Sequence, residues 1–139
     1  MAENTVIQRT HTKDAEFDVS KLAKLPRVDI IYSHADGGGE LIDAAVKAGA
    51  KGIIYAGTGN GSIHFQDEEA LYRAQAAGVV VVRSSRVGNG RVVPSEQVWE
   101  EHHIVSGDTL NPQKARVLLQ LALTKTKATE EIQRMFAKY

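Results

Sequence analysis

Val79-Val80-Val81-Val82-Arg83-Ser84-Ser85 decides the fold. Four β-branched residues in a row suit a strand buried on both faces, the usual state of a central strand in a parallel sheet. The run is far too short for a membrane span, which needs about 18 apolar residues. Upstream, Ala70, Leu71, Ala74 and Ala77 recur at helical spacing, and Gly78 stops that helix. Asp67 is expected to cap it, with Glu68 and Glu69 set against the dipole in its first turn.

Further back, Lys51-Gly52-Ile53-Ile54-Tyr55-Ala56 reads as a second strand, and Val28-Asp29-Ile30-Ile31-Tyr32 as another. Between them Leu41, Ile42, Ala45, Val46 and Ala48 form a helical stripe that Gly49 closes. Strands alternating with helices predict an α/β domain with a small parallel sheet of about four strands. Helices flank the sheet in a three-layer, flavodoxin/Rossmann-like arrangement.

Downstream, Arg86 to Glu101 reads as a looser segment with Gly88, Gly90 and Pro94. His103-Ile104-Val105-Ser106 adds a short strand. Asn111-Pro112 opens a strong helix, Asn as cap and Pro at the first helical position. Its Ala115, Val117, Leu118, Leu119, Leu121, Ala122 and Leu123 are apolar almost all round, as in a helix covered partly by another chain. Thr129-Glu130-Glu131 starts a last amphipathic helix, with Ile132, Met135 and Phe136 inward. The polar stretch Gln8 to Glu16, with scattered anchors Phe17, Val19, Leu22 and Leu25, predicts a connecting arm.

The 139 residues suit one domain. Seventeen basic and seventeen acidic residues leave a formal net charge of zero, so no broad attraction to nucleic acid or anionic lipid is expected. Zero cysteines exclude disulfides, thiol nucleophiles and cysteine metal sites. Met1-Ala2-Glu3-Asn4 leads into polar sequence, so no signal peptide is expected.

The chemistry-bearing segment is Ala56-Gly57-Thr58-Gly59-Asn60-Gly61-Ser62. It follows a buried strand, and ligands of open parallel sheets bind outside the carboxyl ends. Alternating glycines let backbone and ligand approach closely, while Thr58, Asn60 and Ser62 offer short polar groups. A plain glycine-rich turn is the competing reading. Ser62 stands where a dinucleotide fingerprint needs glycine, and no P-loop lysine follows. Arg83 to Arg91 fits either an anion site or, preferably, a polar strand end with structural ion pairs. Glu96, Glu100 and Glu101 fit a solvated loop, and His102-His103 fit exposed histidines better than a metal pair. No cofactor and no metal are expected. No nucleophile with its base is recognisable.

Several of these stretches together resemble the C-terminal domain of bacterial type II L-asparaginases, the asparaginase/glutaminase family. They are Gln8-Arg9-Thr10, Phe17-Asp18-Val19-Ser20-Lys21-Leu22, the Ala56–Ser62 segment and Val82-Arg83-Ser84-Ser85-Arg86. The longest is Leu110-Asn111-Pro112-Gln113-Lys114-Ala115-Arg116-Val117-Leu118-Leu119-Gln120-Leu121-Ala122-Leu123-Thr124. The match runs from about Gln8 to Tyr139 and is specific.

The resemblance implies hydrolysis of L-asparagine, with L-glutamine as a possible second substrate, by a periplasmic homotetramer. It implies that residues 1–27 are an interdomain arm and 28–139 the C-terminal domain. The threonine nucleophile belongs to an N-terminal domain, so no catalytic residue is expected here, and this chain by itself is expected to be inactive. The C-terminal domain then contributes substrate-binding residues to a neighbouring subunit. Ser62 takes the position after Gly-Asn-Gly. The family glutamate facing the substrate amino group falls, by counting without gaps from Arg83, on Gln97, with Glu96 beside it. Gln97 is neutral and gives an ammonium no Coulombic attraction. Two other functions stay open: a non-catalytic module that holds a small amino acid or anion, and a nucleotide-binding domain.

Overall fold

The computed structural model describes residues 12–139. Gln8-Arg9-Thr10 and His11 therefore lie outside the described residues. Four parallel strands make one sheet in the order β1 (Val28–Tyr32), β2 (Gly52–Gly57), β3 (Val80–Ser85) and β4 (Val105–Ser106). The strand order never reverses, so the sheet has no switch-point crevice. Register places Tyr55 beside Arg83 and Ala56 beside Ser84.

The pleat sends alternate residues to opposite faces. Ile53, Tyr55, Val79 and Val81 pack under α1 (Glu40–Lys47) and α2 (Phe65–Ala76). Val28, Ile54, Val80, Val82 and Val105 pack under α4 (Pro112–Ala122) and α5 (Thr129–Lys138). That double burial is why the valine run has no polar alternation. Consecutive right-handed crossovers in one direction put α1 and α2 on the same side. After β4 the chain crosses to the other face, where the arm that precedes β1 also lies.

α4 starts where Asn111 and Pro112 predict, with the Asn111 side chain accepting from the Lys114 amide at 2.9 Å. Its inner face holds Ala115, Leu118, Leu119 and Ala122, while Val117 stays 50% exposed. Two expectations are corrected. Arg86 to Glu101 is not all irregular: Gln97–Glu101 form a short helix, α3, because Trp99 turns inward and is buried. Asp67 does not cap α2. That helix begins at Phe65 with His64 in the cap position, and the Asp67 carboxylate serves another network described below.

The described part of the arm is pinned to α5. Phe17 packs against Tyr139 at 5.5 Å between ring centroids, and the Glu16 amide donates to the Tyr139 hydroxyl at 2.9 Å. The Glu16 carboxylate meets Arg134 at 2.7 Å, Lys138 at 3.4 Å and Lys125 at 3.6 Å. Hydrogen bonding from Arg134 above all, helped by Lys138, holds the Glu16 carboxyl down at about 2. The folded value lies below the ordinary 4.5, so its contribution to stability is complete above 4.5 and is lost as pH falls through about 2. A carbon-detected NMR titration is expected to place the Glu16 midpoint near 2, and Arg134→Ala is expected to return it toward 4.5. An ordinary midpoint in the unsubstituted protein would show that the arm is not docked in this way.

Candidate functional site

At the carboxyl end of β2 the chain folds back on itself in the Gly57–Ser62 turn. The Ser62 amide donates to the Thr58 carbonyl at 2.8 Å. Two glycines are required for separate reasons. A Cβ on Gly57 would stand 2.2 Å from the Ser62 carbonyl oxygen, and Gly61 holds a left-handed φ of +67°. The turn forms one wall of a cleft of about 510 Å3 of mixed lining, with Ser33, His34, Thr58, Ser62, His64 and Arg86 beside the apolar Ala35, Ile63 and Phe65.

Three side chains fix the turn from different directions. Ser85 Oγ donates to the Gly59 carbonyl at 2.7 Å. Asn60 pairs its amide with the Val93 backbone, accepting from Val93 N at 2.8 Å and donating to Val93 O at 3.2 Å. Arg83 grips it from beneath. That guanidinium is fully buried, donating from Nη1 to the Asn60 carbonyl at 2.9 Å and from Nη2 to Val93 O at 2.9 Å and Ser106 Oγ at 3.2 Å. The Trp99 ring covers it at 4.6 Å, a favourable cation–π distance. Burial draws the Arg83 guanidinium down from its ordinary value, and the charges of Glu100 and Glu96 act the other way. It stays cationic, since guanidinium does not deprotonate in proteins.

The cleft's opposite side rests on Tyr55. Its hydroxyl donates to Asp67 Oδ2 at 2.7 Å and accepts from the His64 amide at 3.1 Å. Asp67 Oδ1 also accepts from the Gly39 amide at 3.1 Å, tying the start of α1 to that of α2. Burial pushes the Tyr55 phenol up to about 12, so it is a neutral donor here and no proton acceptor at ordinary pH. Arg86 closes the end of the sheet, donating to the Ser33 carbonyl at 2.7 Å.

Ser62 therefore sits, exposed, on the cleft. Glu96 and Gln97 are exposed as well, but neither lines that cleft. Glu96 occupies the cap position of α3 with no side-chain capping bond, and Gln97 donates to Glu101 at 2.7 Å. Arg91 pairs with Asp108 through two contacts of 2.6 and 3.0 Å, as the ion-pair reading of this segment predicts. His102 stacks on Tyr72 at 3.7 Å. Among the described residues no group of three or more histidines and carboxylates is placed to hold a metal ion.

Sequence reasoning did not find Tyr55, Asp67 and Trp99, or the buried work of Arg83. A signal for Arg83 exists: residues 79, 81 and 83 share the inward face of β3, so a charge there must find buried acceptors.

Residues 27–136 match the glutaminase/asparaginase C-terminal domain. L-asparaginase 2 of Bacillus subtilis is 52% identical over 98% of this chain and 36% of its own length. L-asparaginase 2 of Escherichia coli is 47% identical over 94% of this chain and 38% of its own. The crystal structure of a probable cytoplasmic L-asparaginase from Campylobacter jejuni superposes with a TM-score of 0.90 at 48% identity, covering 96% of this chain and 44% of that one. The chain thus spans little more than a third of the two curated relatives' length.

Tyr55→Phe is expected to cost about 1–3 kcal/mol in urea unfolding, because it strips a donor from a buried carboxylate and an acceptor from the His64 amide. A change within experimental error would mean that water or another group replaces the hydroxyl.

Proposed function

Because the chain belongs to the glutaminase/asparaginase family, as its C-terminal domain, we propose that it completes the active site of an L-asparaginase. The observation that carries this proposal is the fixed Gly57–Ser62 turn, which presents Ser62 on a cleft at the carboxyl edge of the sheet. Amide hydrolysis needs an activated nucleophile, an oxyanion hole and an oriented substrate. The nucleophile and its activation come from the N-terminal domain. This chain supplies orientation, which alone is worth large factors in rate.

In this division of labour Ser62 gives the substrate's polar backbone a hydrogen bond. Glu96 faces its ammonium, and Gln97 flanks it. A carboxylate attracts an ammonium and a neutral amide does not, and the Gln97 amide is already engaged by Glu101. Residues 1–27 act as the arm between domains and 28–139 as the domain itself. The substrate is L-asparagine, with L-glutamine as the second amide.

The parent assembles as a homotetramer in which neighbouring subunits complete one another's sites. An apolar groove along α4, lined by Phe17, Leu110, Val117, Leu118, Leu121 and Tyr139, supports burial by another chain or domain. The periplasm is the proposed compartment, on the type II resemblance and on the name of a 45% identical Haemophilus influenzae relative, a probable periplasmic L-asparaginase. The Campylobacter protein, by contrast, is a probable cytoplasmic L-asparaginase.

Gln97 favours one alternative, a non-catalytic module that holds a small amino acid. Ammonia release from L-asparagine separates the two. The chain alone is expected to be silent, and the chain mixed with a family N-terminal domain active. In the mixture Ser62→Ala is expected to lower kcat/KM by about tenfold, in line with one lost hydrogen bond to a charged substrate. Glu96→Gln is expected to raise KM, and Gln97→Ala to change little. Activity in the chain alone would overturn the assignment of the nucleophile. Silence in a mixture shown to associate would favour the module.

A further inference from the structure

We propose that Arg83 is a positioning residue for the substrate edge, holding the Ser62 turn at a fixed spacing from the segment that carries Glu96 and Gln97. The proposal rests on the function argued above and deepens it. Nη1 takes the carbonyls of Asn60 at 2.9 Å and Gly61 at 3.4 Å, the two residues before Ser62. Nη2 takes the Val93 carbonyl at 2.9 Å, three residues before Glu96. The Trp99 ring lies over the same guanidinium at 4.6 Å, and Trp99 stands in α3, whose cap position is Glu96. One rigid group therefore touches both sides of the edge. Asn60 reinforces the link from above, since it also donates to the Val93 carbonyl and accepts from the Val93 amide.

Stability alone does not call for this arginine. Burying a charge carries a desolvation cost, and replacement of buried charged groups by well-packed apolar ones is often neutral or stabilising. Nε is buried with no hydrogen-bond partner, a further cost. What the guanidinium offers is geometry: a planar fork whose two ends reach two separate backbone segments at once. A lysine ammonium is a point charge and cannot hold both at the same spacing.

The test uses Arg83→Lys with two readouts. The first is amide-resolved hydrogen exchange and NMR shifts in the chain itself. Gly61 and Ser62 on one side, and Val93 and Ser95 to Gln97 on the other, are expected to shift and exchange faster together. Perturbation of only one side would overturn the coupling. The second is ammonia release from L-asparagine after mixing with a family N-terminal domain. KM is expected to rise about tenfold with kcat held within about twofold, because the nucleophile is elsewhere. A merely structural role would lower the active fraction, and hence kcat, at unchanged KM, and that result would also overturn it. If Arg83→Lys does not fold, Asn60→Ala reads the same two quantities through the other contact with Val93. Absence of ammonia from the unsubstituted mixture counts against the proposed function, and hydrogen exchange then decides the coupling by itself.

Discussion

The Arg83 guanidinium, buried beneath the carboxyl end of the sheet, is the constraint on which the candidate site depends. It cannot reach water, so its donors must find protein acceptors. The two terminal nitrogens find backbone carbonyls at Asn60, Gly61 and Val93, which fixes where both loops run, while Nε finds none. Once the first loop is drawn down onto the strand end, Gly57 must lack a Cβ, because the Ser62 carbonyl passes too close. The glycine pattern thus follows from a buried charge as much as from any ligand. Trp99 shields the cation on its open flank, and burying that ring is what organises α3.

Around this centre the domain divides its tasks. One face of the sheet, with α1 and α2, carries the polar anchorage of the cleft: Asp67 receives the Tyr55 hydroxyl and the Gly39 amide, so the starts of both helices are set against β2. The other face, with α4 and α5, is an apolar cluster closed by Ile132, Met135 and Phe136. The arm crosses the ends of that layer and is held by the Glu16 ion cluster. The carboxyl edge of the sheet is left open to whatever completes it.

The architecture was legible because its signals are local. The all-valine strand, the Asn111-Pro112 start and the Gly78 stop each reflect a backbone requirement that only a few residues meet. Ser62 was legible for the same reason, since three alternating glycines at a strand end mark a forced turn. What escaped depends on pairings distant in sequence. Asp67 looked like a helix cap because its neighbours are acidic, but its partners Tyr55 and Gly39 lie 12 and 28 residues away. α3 was hidden among Gly and Pro, and what holds it is distant in sequence: Trp99 packs in the core, covers Arg83 and donates to Glu68 at 3.0 Å. Glu96 and Gln97 were placed by counting along a resemblance, and the cleft's lining reaches Ser62 without reaching them.

The central claim is that this domain presents half of a substrate site whose other half comes from elsewhere. Amide-resolved NMR of the chain, titrated with a family N-terminal domain and then with L-aspartate, tests it most directly. The account predicts shifts at Thr58 to Ile63 and Ser95 to Gln97 when the domain is added, and further shifts at Ser62 and Glu96 with aspartate. Binding that leaves both segments unmoved, with shifts confined to the helical faces, would contradict it.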